Sequence, residues 1–197
     1  MVEAMIRAAC LLAWLLLALV ASPSAAHRLD EYLQAMLVVI EPSGIQLQIN
    51  LTPGVEVADQ VLARIDRDDD GVISKDEAGG YAELLKRDLS VRLDGHNVGL
   101  KLTGYEFPKP SELRSGLQII QVEFTAICDF DAGPHELIVE NSHVPTASVY
   151  LFNAAKSKSG AVQVISQNRN NDQSVGEIEF ILTPPSNASK ILTTTEP

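Results

Sequence analysis

The stretch Ile45-Gln-Leu-Gln-Ile-Asn-Leu51 alternates apolar and polar residues with a period of two. In a strand successive side chains point to opposite faces, whereas on a helix the same alternation would scatter the apolar groups around the cylinder. A chain with this pattern is expected to build a sheet with one face in a core and the other in water. The preceding segment, Tyr32 to Ile40, is rich in β-branched and aliphatic residues. Glu41-Pro42-Ser43-Gly44 supplies turn chemistry between the two, which predicts a hairpin, and Thr52-Pro53-Gly54 closes it. Further strands are expected at Ser90–Leu93 and Val98–Leu102, joined by Asp94-Gly95-His96-Asn97. Others follow at Leu117–Ile127, Glu136–Glu140, Ser148–Phe152, Val162–Ser166 and Gly176–Leu182. Many short strands with turn signals between them predict a mainly β fold, an antiparallel β-sandwich, with a partly closed barrel as the related alternative.

One stretch, residues 56–89, breaks the β pattern and reads as an insertion. Val57, Val61, Leu62 and Ile65 fall on one helical face, and Leu84, Leu85 and Leu89 repeat that over Ala82 to Leu89. Between them lies Asp66-Arg-Asp-Asp-Asp-Gly-Val-Ile-Ser-Lys-Asp-Glu77. A hard divalent cation such as calcium takes six to eight oxygens, and a twelve-residue loop supplies them at fixed offsets. Asp66, Asp68 and Asp70 stand at positions 1, 3 and 5, and Gly71 makes the sharp turn at 6. Val72 gives a backbone carbonyl at 7, Ser74 acts at 9, and Glu77 closes the coordination sphere at 12. Three consecutive aspartates are ordinarily a solvated face, but Gly71, aliphatic Ile73 and Glu77 at their offsets argue for the loop. Ser74 and Glu77 also match a capping box for the second helix. Gly79-Gly80 works against it, at roughly 1 kcal/mol per glycine relative to alanine. The exit helix is therefore expected to be loose until Tyr81, or ordered mainly when Glu77 is drawn onto an ion.

This helix–loop–helix resembles the EF-hand family over Val57 to Leu89. The resemblance implies calcium coordination by Asp66, Asp68, Asp70, the Val72 carbonyl, Ser74 and Glu77. Ala78 departs from the family pattern, which has a large apolar residue there. The family also pairs its hands through position 8, and no second hand is expected. Asp129 to Glu140 places Pro134 at the glycine position, and the run of Asn168, Asn170, Asp172 and Glu179 places Gln173 there. Both read instead as polar hairpin loops. A lone hand is expected to pack Ile73 against the β domain or to dimerise through it, with weak affinity on the order of 10⁻⁴–10⁻³ M.

The termini set the expected compartment. Arg7 precedes a 13-residue apolar run, Ala8 to Val20, which breaks at Ser22-Pro23. Such a run is too short to span a bilayer and suits a signal peptide over residues 1–26, with Ser24-Ala25-Ala26 at the cleavage site. The alternative is an uncleaved amino-terminal anchor, since Glu3 weakens the basic region. The mature form is expected to begin at His27, not to span the membrane, and to be exported to the periplasm or extracellular space. Residues 184–197 read as a disordered tail, leaving 27–183 as the β-sandwich domain. Cys10 falls in the signal core, so Cys128 is left without an intramolecular partner and reads as a small buried hydrophobe.

Net charge is −11 over the whole chain. A surface of that sign, with no basic stripe, repels phosphate backbones, so nucleic acid is not an expected partner. No nucleophile elbow, zinc-protease helix or phosphate loop is present, and an enzyme is not expected. His27-Arg-Leu-Asp-Glu-Tyr-Leu-Gln34, Leu51-Thr-Pro-Gly54 and the acidic loop together resemble secreted bacterial proteins with a small β domain. Similar exported domains precede the membrane part of some nickel/cobalt efflux transporters. That layout implies an envelope protein or a metal transporter as the partner class. A competing site centres on His27, whose free amino group and imidazole suit nickel, cobalt or copper, with His143, His135 or His96 completing it.

Overall fold

The computed structural model describes residues 30–144 and 146–183. The expected signal peptide at 1–26, His27 and the expected tail at 184–197 lie outside the described residues. Strands β1 (Tyr32–Glu41) and β2 (Gly44–Pro53) pair antiparallel along their whole length, from Tyr32 opposite Pro53 to Glu41 opposite Gly44. Gly44 sits at φ 149°, and a Cβ there would lie 2.1 Å from the Ala126 carbonyl oxygen, so glycine is required at this turn.

Helices α1 (Ala58–Ile65) and α2 (Lys75–Arg87) follow, then β3 (Leu89–Leu93), β4 (His96–Asn97) and β5 (Lys101–Glu106). A short helix α3 (Pro110–Leu113) leads to β6 (Ile120–Ile127) and β7 (Gly133–Asn141). The chain ends in β8 (Ser148–Ala155), β9 (Val162–Arg169) and β10 (Val175–Leu182). Two five-stranded sheets result, ordered β5-β6-β2-β1-β8 and β4-β3-β7-β10-β9. The fold is mainly β, a sandwich of two sheets. Ile45, Leu47, Ile49 and Leu51 point inward with Val122 and Phe124 of β6, and meet Leu137, Val139, Ile178 and Phe180 of the second sheet. Each such side chain contributes about 1.5–3 kcal/mol relative to exposure.

The sandwich departs from the expected all-antiparallel pattern at one pair. β8 runs parallel to β1, with Tyr32 opposite Ser148 and Val39 opposite Ala155. β7 belongs to the second sheet, and β8 begins beside the start of β1, where the Tyr32 N–H donates to the Ala147 carbonyl at 2.8 Å. A strand that begins there must run the same way as β1. Its outer edge is closed by side chains of β9 and of the turn that follows it. Gln173 and Gln167 accept from the N–H groups of Phe152 and Ala154, and Arg169 Nε donates to the Phe152 carbonyl at 2.6 Å. Such cover removes part of the unpaired edge that would otherwise invite further strands.

Two expected strands shift. Residues 98–100 are irregular and carry the chain from β4 to β5 in the opposite sheet, so the strand expected at Val98–Leu102 becomes Lys101–Glu106. Leu117 and Ile119 precede β6 and remain exposed, at 76% and 43%. The exit helix is also continuous from Lys75, contrary to the looseness expected at Gly79-Gly80. The capping box forms at its start, and the Tyr105 hydroxyl of β5 donates to the Lys75 carbonyl at 3.3 Å. Packing and capping outweigh the glycine penalty.

Candidate metal centre

The acidic loop is the link between α1 and α2, on the crossover from one sheet to the other. Burial of Val61, Leu62 and Ile65 fixes α1, and burial of Tyr81, Ala82 and Leu85 fixes α2. Ile73 packs against the hydrophobic core cluster from within the loop. The two ends of the loop are thus held by the sandwich, and its middle is left to fold on itself.

Backbone N–H groups and carboxylates organise that middle. Asp66 is 9% exposed and accepts from the N–H groups of Asp70 at 3.2 Å and Gly71 at 3.0 Å. Asp68 accepts from Asp70 N–H at 3.4 Å, and Asp70 accepts from Val72 N–H at 2.8 Å. Gly71 adopts φ 78° and Asp69 φ 56°, both in the left-handed region. Ligand oxygens of Asp66, Asp68 and Asp70 lie within 4.8 Å of one another. That is about twice a calcium–oxygen distance, so one ion between them reaches all three.

Glu77 is only 6% exposed and spans the loop. Oε1 accepts from Arg67 N–H at 2.7 Å, and Oε2 accepts from Ser74 N–H at 3.0 Å and the Ser74 hydroxyl at 2.8 Å. In return, Ser74 Oγ accepts from Glu77 N–H at 3.3 Å. These donors hold the Glu77 carboxyl down to about 2, the Ser74 N–H contributing most. Asp68 moves the other way: partial desolvation, and then the negative charges of Asp70, Glu77 and Asp66, raise it from its ordinary value. A divalent cation relieves that repulsion. The donor set is all oxygen, which suits a hard cation and not copper or nickel.

No protein-family model matches this chain, and no curated protein matches it.

Five of the six expected ligand residues supply side-chain oxygens in or beside this loop. Val72 has its side chain 61% exposed, so its part is confined to the backbone carbonyl. Of the two other acidic runs, 168–179 forms the expected hairpin between β9 and β10, whereas 129–140 does not: β6 and β7 belong to different sheets, so the link between them is a crossover and not a hairpin loop. Asn170 and Asp172 bond Ser174 within the turn between β9 and β10, and Glu140 lies within β7.

The histidines expected to assist His27 are engaged elsewhere. Both ring nitrogens of His135 face acceptors, Asp94 Oδ2 at 2.7 Å and the Asp131 carbonyl at 2.8 Å. Burial disfavours its charge, yet those two partners prevail and raise its pKa. His96 Nδ1 lies 2.9 Å from the Asp94 carbonyl. His143 is fully buried, with Nδ1 against Asp88 and Nε2 against Tyr81.

That last set was not legible in the sequence. Tyr32 of β1, Tyr81 of α2 and His143 of the crossover meet in the interior, with Tyr32 Oη 2.8 Å from Tyr81 Oη. The His143 backbone is clamped as well: Asn141 Oδ1 accepts its N–H, and Gln34 and Tyr150 donate to its carbonyl. A polar His in Asn-Ser-His-Val-Pro gave only one signal, a loop between two strands.

Proposed function

We propose that this chain is an exported calcium-binding protein whose single EF-hand-type loop, Asp66 to Glu77, serves a structural or interaction role at the cell envelope. The observation that carries the reading is the convergence of three aspartate oxygens within 4.8 Å, with the Glu77 carboxylate closing the loop beside them. Asp66, Asp68, Asp70, Ser74, Glu77 and the Val72 carbonyl hold the ion. Calcium supplies a positive charge that cancels their mutual repulsion, and binding stabilises the folded chain by mass action. A hand with no partner loop among the described residues is expected to bind in the range of about 10⁻⁴–10⁻³ M, which extracellular calcium fills and cytosolic calcium does not. The signal-like segment at 1–26 supports export, and the acidic surface supports a protein partner over nucleic acid.

Isothermal calorimetry and thermal unfolding of the purified mature chain test this, with calcium raised to about ten times the weak-site estimate of 1 mM. Heat of binding and a rise in Tm are expected for wild type, and neither for Glu77→Gln or Asp66→Asn. A flat wild-type response over that range ends the proposal. Magnesium at equal concentration is expected to bind more weakly, because its smaller octahedral sphere resists bidentate Glu77.

A further inference from the structure

The polar chain that ties the loop's exit helix to the sandwich has a direction. A carboxylate only accepts, so His143 Nδ1 carries a hydrogen and donates to Asp88 Oδ2 at 2.7 Å. In the neutral ring Nε2 then accepts, and the Tyr81 hydroxyl donates to it across 2.9 Å. The Tyr81 oxygen in turn accepts the Tyr32 O–H at 2.8 Å. Every donor points from Tyr32 towards Asp88, and each finds an acceptor. A second proton on His143 reverses the order: Nε2–H donates to Tyr81, and Tyr81 donates to Tyr32. The Tyr32 O–H is then left without an acceptor among the described residues, in a site with no exposed surface.

The chain grips α2 at two points. Asp88 is the C-cap of α2, and Tyr81 lies one helical turn beyond Glu77, on the same face. The Ser142 N–H and hydroxyl both donate to the Asp88 carbonyl at 2.9 Å, so the crossover holds the end of α2 by main chain as well. The charged and titratable groups facing His143 are Tyr81 and Asp88 from α2, Tyr32 from β1, Tyr150 from β8 and Arg64 from α1. Burial lowers the His143 pKa most, the Arg64 charge adds to that, and Asp88 opposes both without overcoming them.

We propose that Tyr81 and His143 are positioning residues for the calcium loop: the neutral chain fixes the rotation and depth of α2, and so of Glu77, and protonation of His143 releases that hold. This rests on the calcium reading above and adds to it a dependence on proton concentration. His143 is a base whose folded-state pKa is depressed. Its stabilising effect is therefore complete above the unfolded value near 6.5 and is lost as pH falls from there towards the folded value. Because coupling is reciprocal, calcium lowers the His143 pKa further.

Two measurements on the full mature chain test the proposal. Imidazole and amide NMR spectra of the calcium-free protein, taken from about pH 7.5 to 4.5, follow His143 directly. It is expected to titrate below the ordinary histidine range, with the Tyr81–Asp88 amides shifting at the same midpoint. A titration at the ordinary value, or one that leaves α2 unmoved, overturns the proposal. Calorimetric calcium titrations at about pH 7.5 and at about one pH unit below the His143 midpoint found by NMR then compare wild type with His143→Gln, whose amide keeps one donor and one acceptor and does not titrate. Wild-type Kd is expected to rise about fivefold or more on acidification, within the ceiling of about tenfold per pH unit for one proton. In His143→Gln the change should stay within about twofold; equal pH dependence in the two proteins sinks the idea. Should His143→Gln not fold, Tyr81→Phe breaks the same chain with the ring retained, and it should bind calcium several-fold more weakly at the higher pH. Unchanged affinity in that variant also counts against the proposal. A complete lack of calcium heat refutes the calcium reading and this proposal's calcium half together, whereas the calcium-free spectra judge the grip on α2 alone.

Discussion

Gly176 lies in β10 directly beneath the Phe152 ring, and this gives the fold its sharpest steric test. By strand propensity alone, Gly176→Ala should stabilise by about 0.5–1 kcal/mol, since glycine loses the most backbone freedom on folding. The structure reverses the sign. An alanine Cβ would lie 2.2–2.3 Å from three carbons of the Phe152 ring, against an optimal carbon–carbon separation of about 3.5–4.0 Å. Phe152 has no exposed surface, and its carbonyl is held by Arg169, so the strand cannot slide aside freely. Relief comes from turning the ring off its rotamer, at about 0.5–1.5 kcal/mol, and from displacing neighbours, at about 1–3 kcal/mol. After the backbone gain is subtracted, a net loss of about 2 kcal/mol remains. For a domain of this size that lowers Tm by roughly 4–8 °C. Urea unfolding and calorimetry on Gly176→Ala, Phe152→Leu and the double variant supply the assay. The double variant should be at least as stable as Phe152→Leu, because the shorter side chain leaves room for the methyl. Gly104→Ala is the control: its nearest neighbour is the mobile end of Glu123 at 3.3 Å, so no loss is expected. A Gly176→Ala protein as stable as wild type, or a double variant whose losses simply add, would refute the steric argument.

Three further outcomes follow from single groups. Asp94→Asn should lower the His135 pKa seen by NMR; because that pKa is raised in the folded state, His135 stabilises below the unfolded value and the effect fades as pH rises through the folded one. In calcium-free protein the Glu77 contribution should be complete above 4.5 and be lost as pH falls towards about 2, so Glu77→Gln should flatten the acid limb of the stability curve. Cys128 is 8% exposed and burial pushes its thiol up, so thiol reagents should label it slowly in the native protein and promptly in denaturant.

The β pattern was legible wherever one face of a strand meets the core and the other meets water, as in β2. It failed where tertiary geometry decides. Residues 98–100 have strand-like composition, but they carry the chain between sheets and pair with neither as a strand. The direction of β8 was equally hidden, since a parallel pairing depends on which end of the sandwich the crossover reaches. The loop could be read residue by residue because its offsets come from the coordination geometry of an ion, a local constraint. The Tyr32–Tyr81–His143–Asp88 chain involves separations of 49 and 62 residues between bonded partners, and no local pattern encodes it.

On the calcium reading, the bonds that Glu77 makes within the protein decide what kind of site this is. Its two oxygens bridge Arg67 and Ser74, at positions 2 and 9 of the loop, and these bonds close the loop and cap α2. Calcium then exchanges hydrogen bonds for coordination at a carboxylate already in place, and has little helix left to order. A sensor hand works differently, since its helices change angle to uncover an apolar groove. Here α2 is held by Tyr81 and Asp88 to a buried network, and Ile73 is packed against the core. Opening would have to break those contacts, at a cost that a site of about millimolar affinity does not supply. Calcium is thus expected to raise Tm while leaving far-ultraviolet circular dichroism nearly unchanged; a large gain in helix on titration would show instead that α2 forms only with the ion.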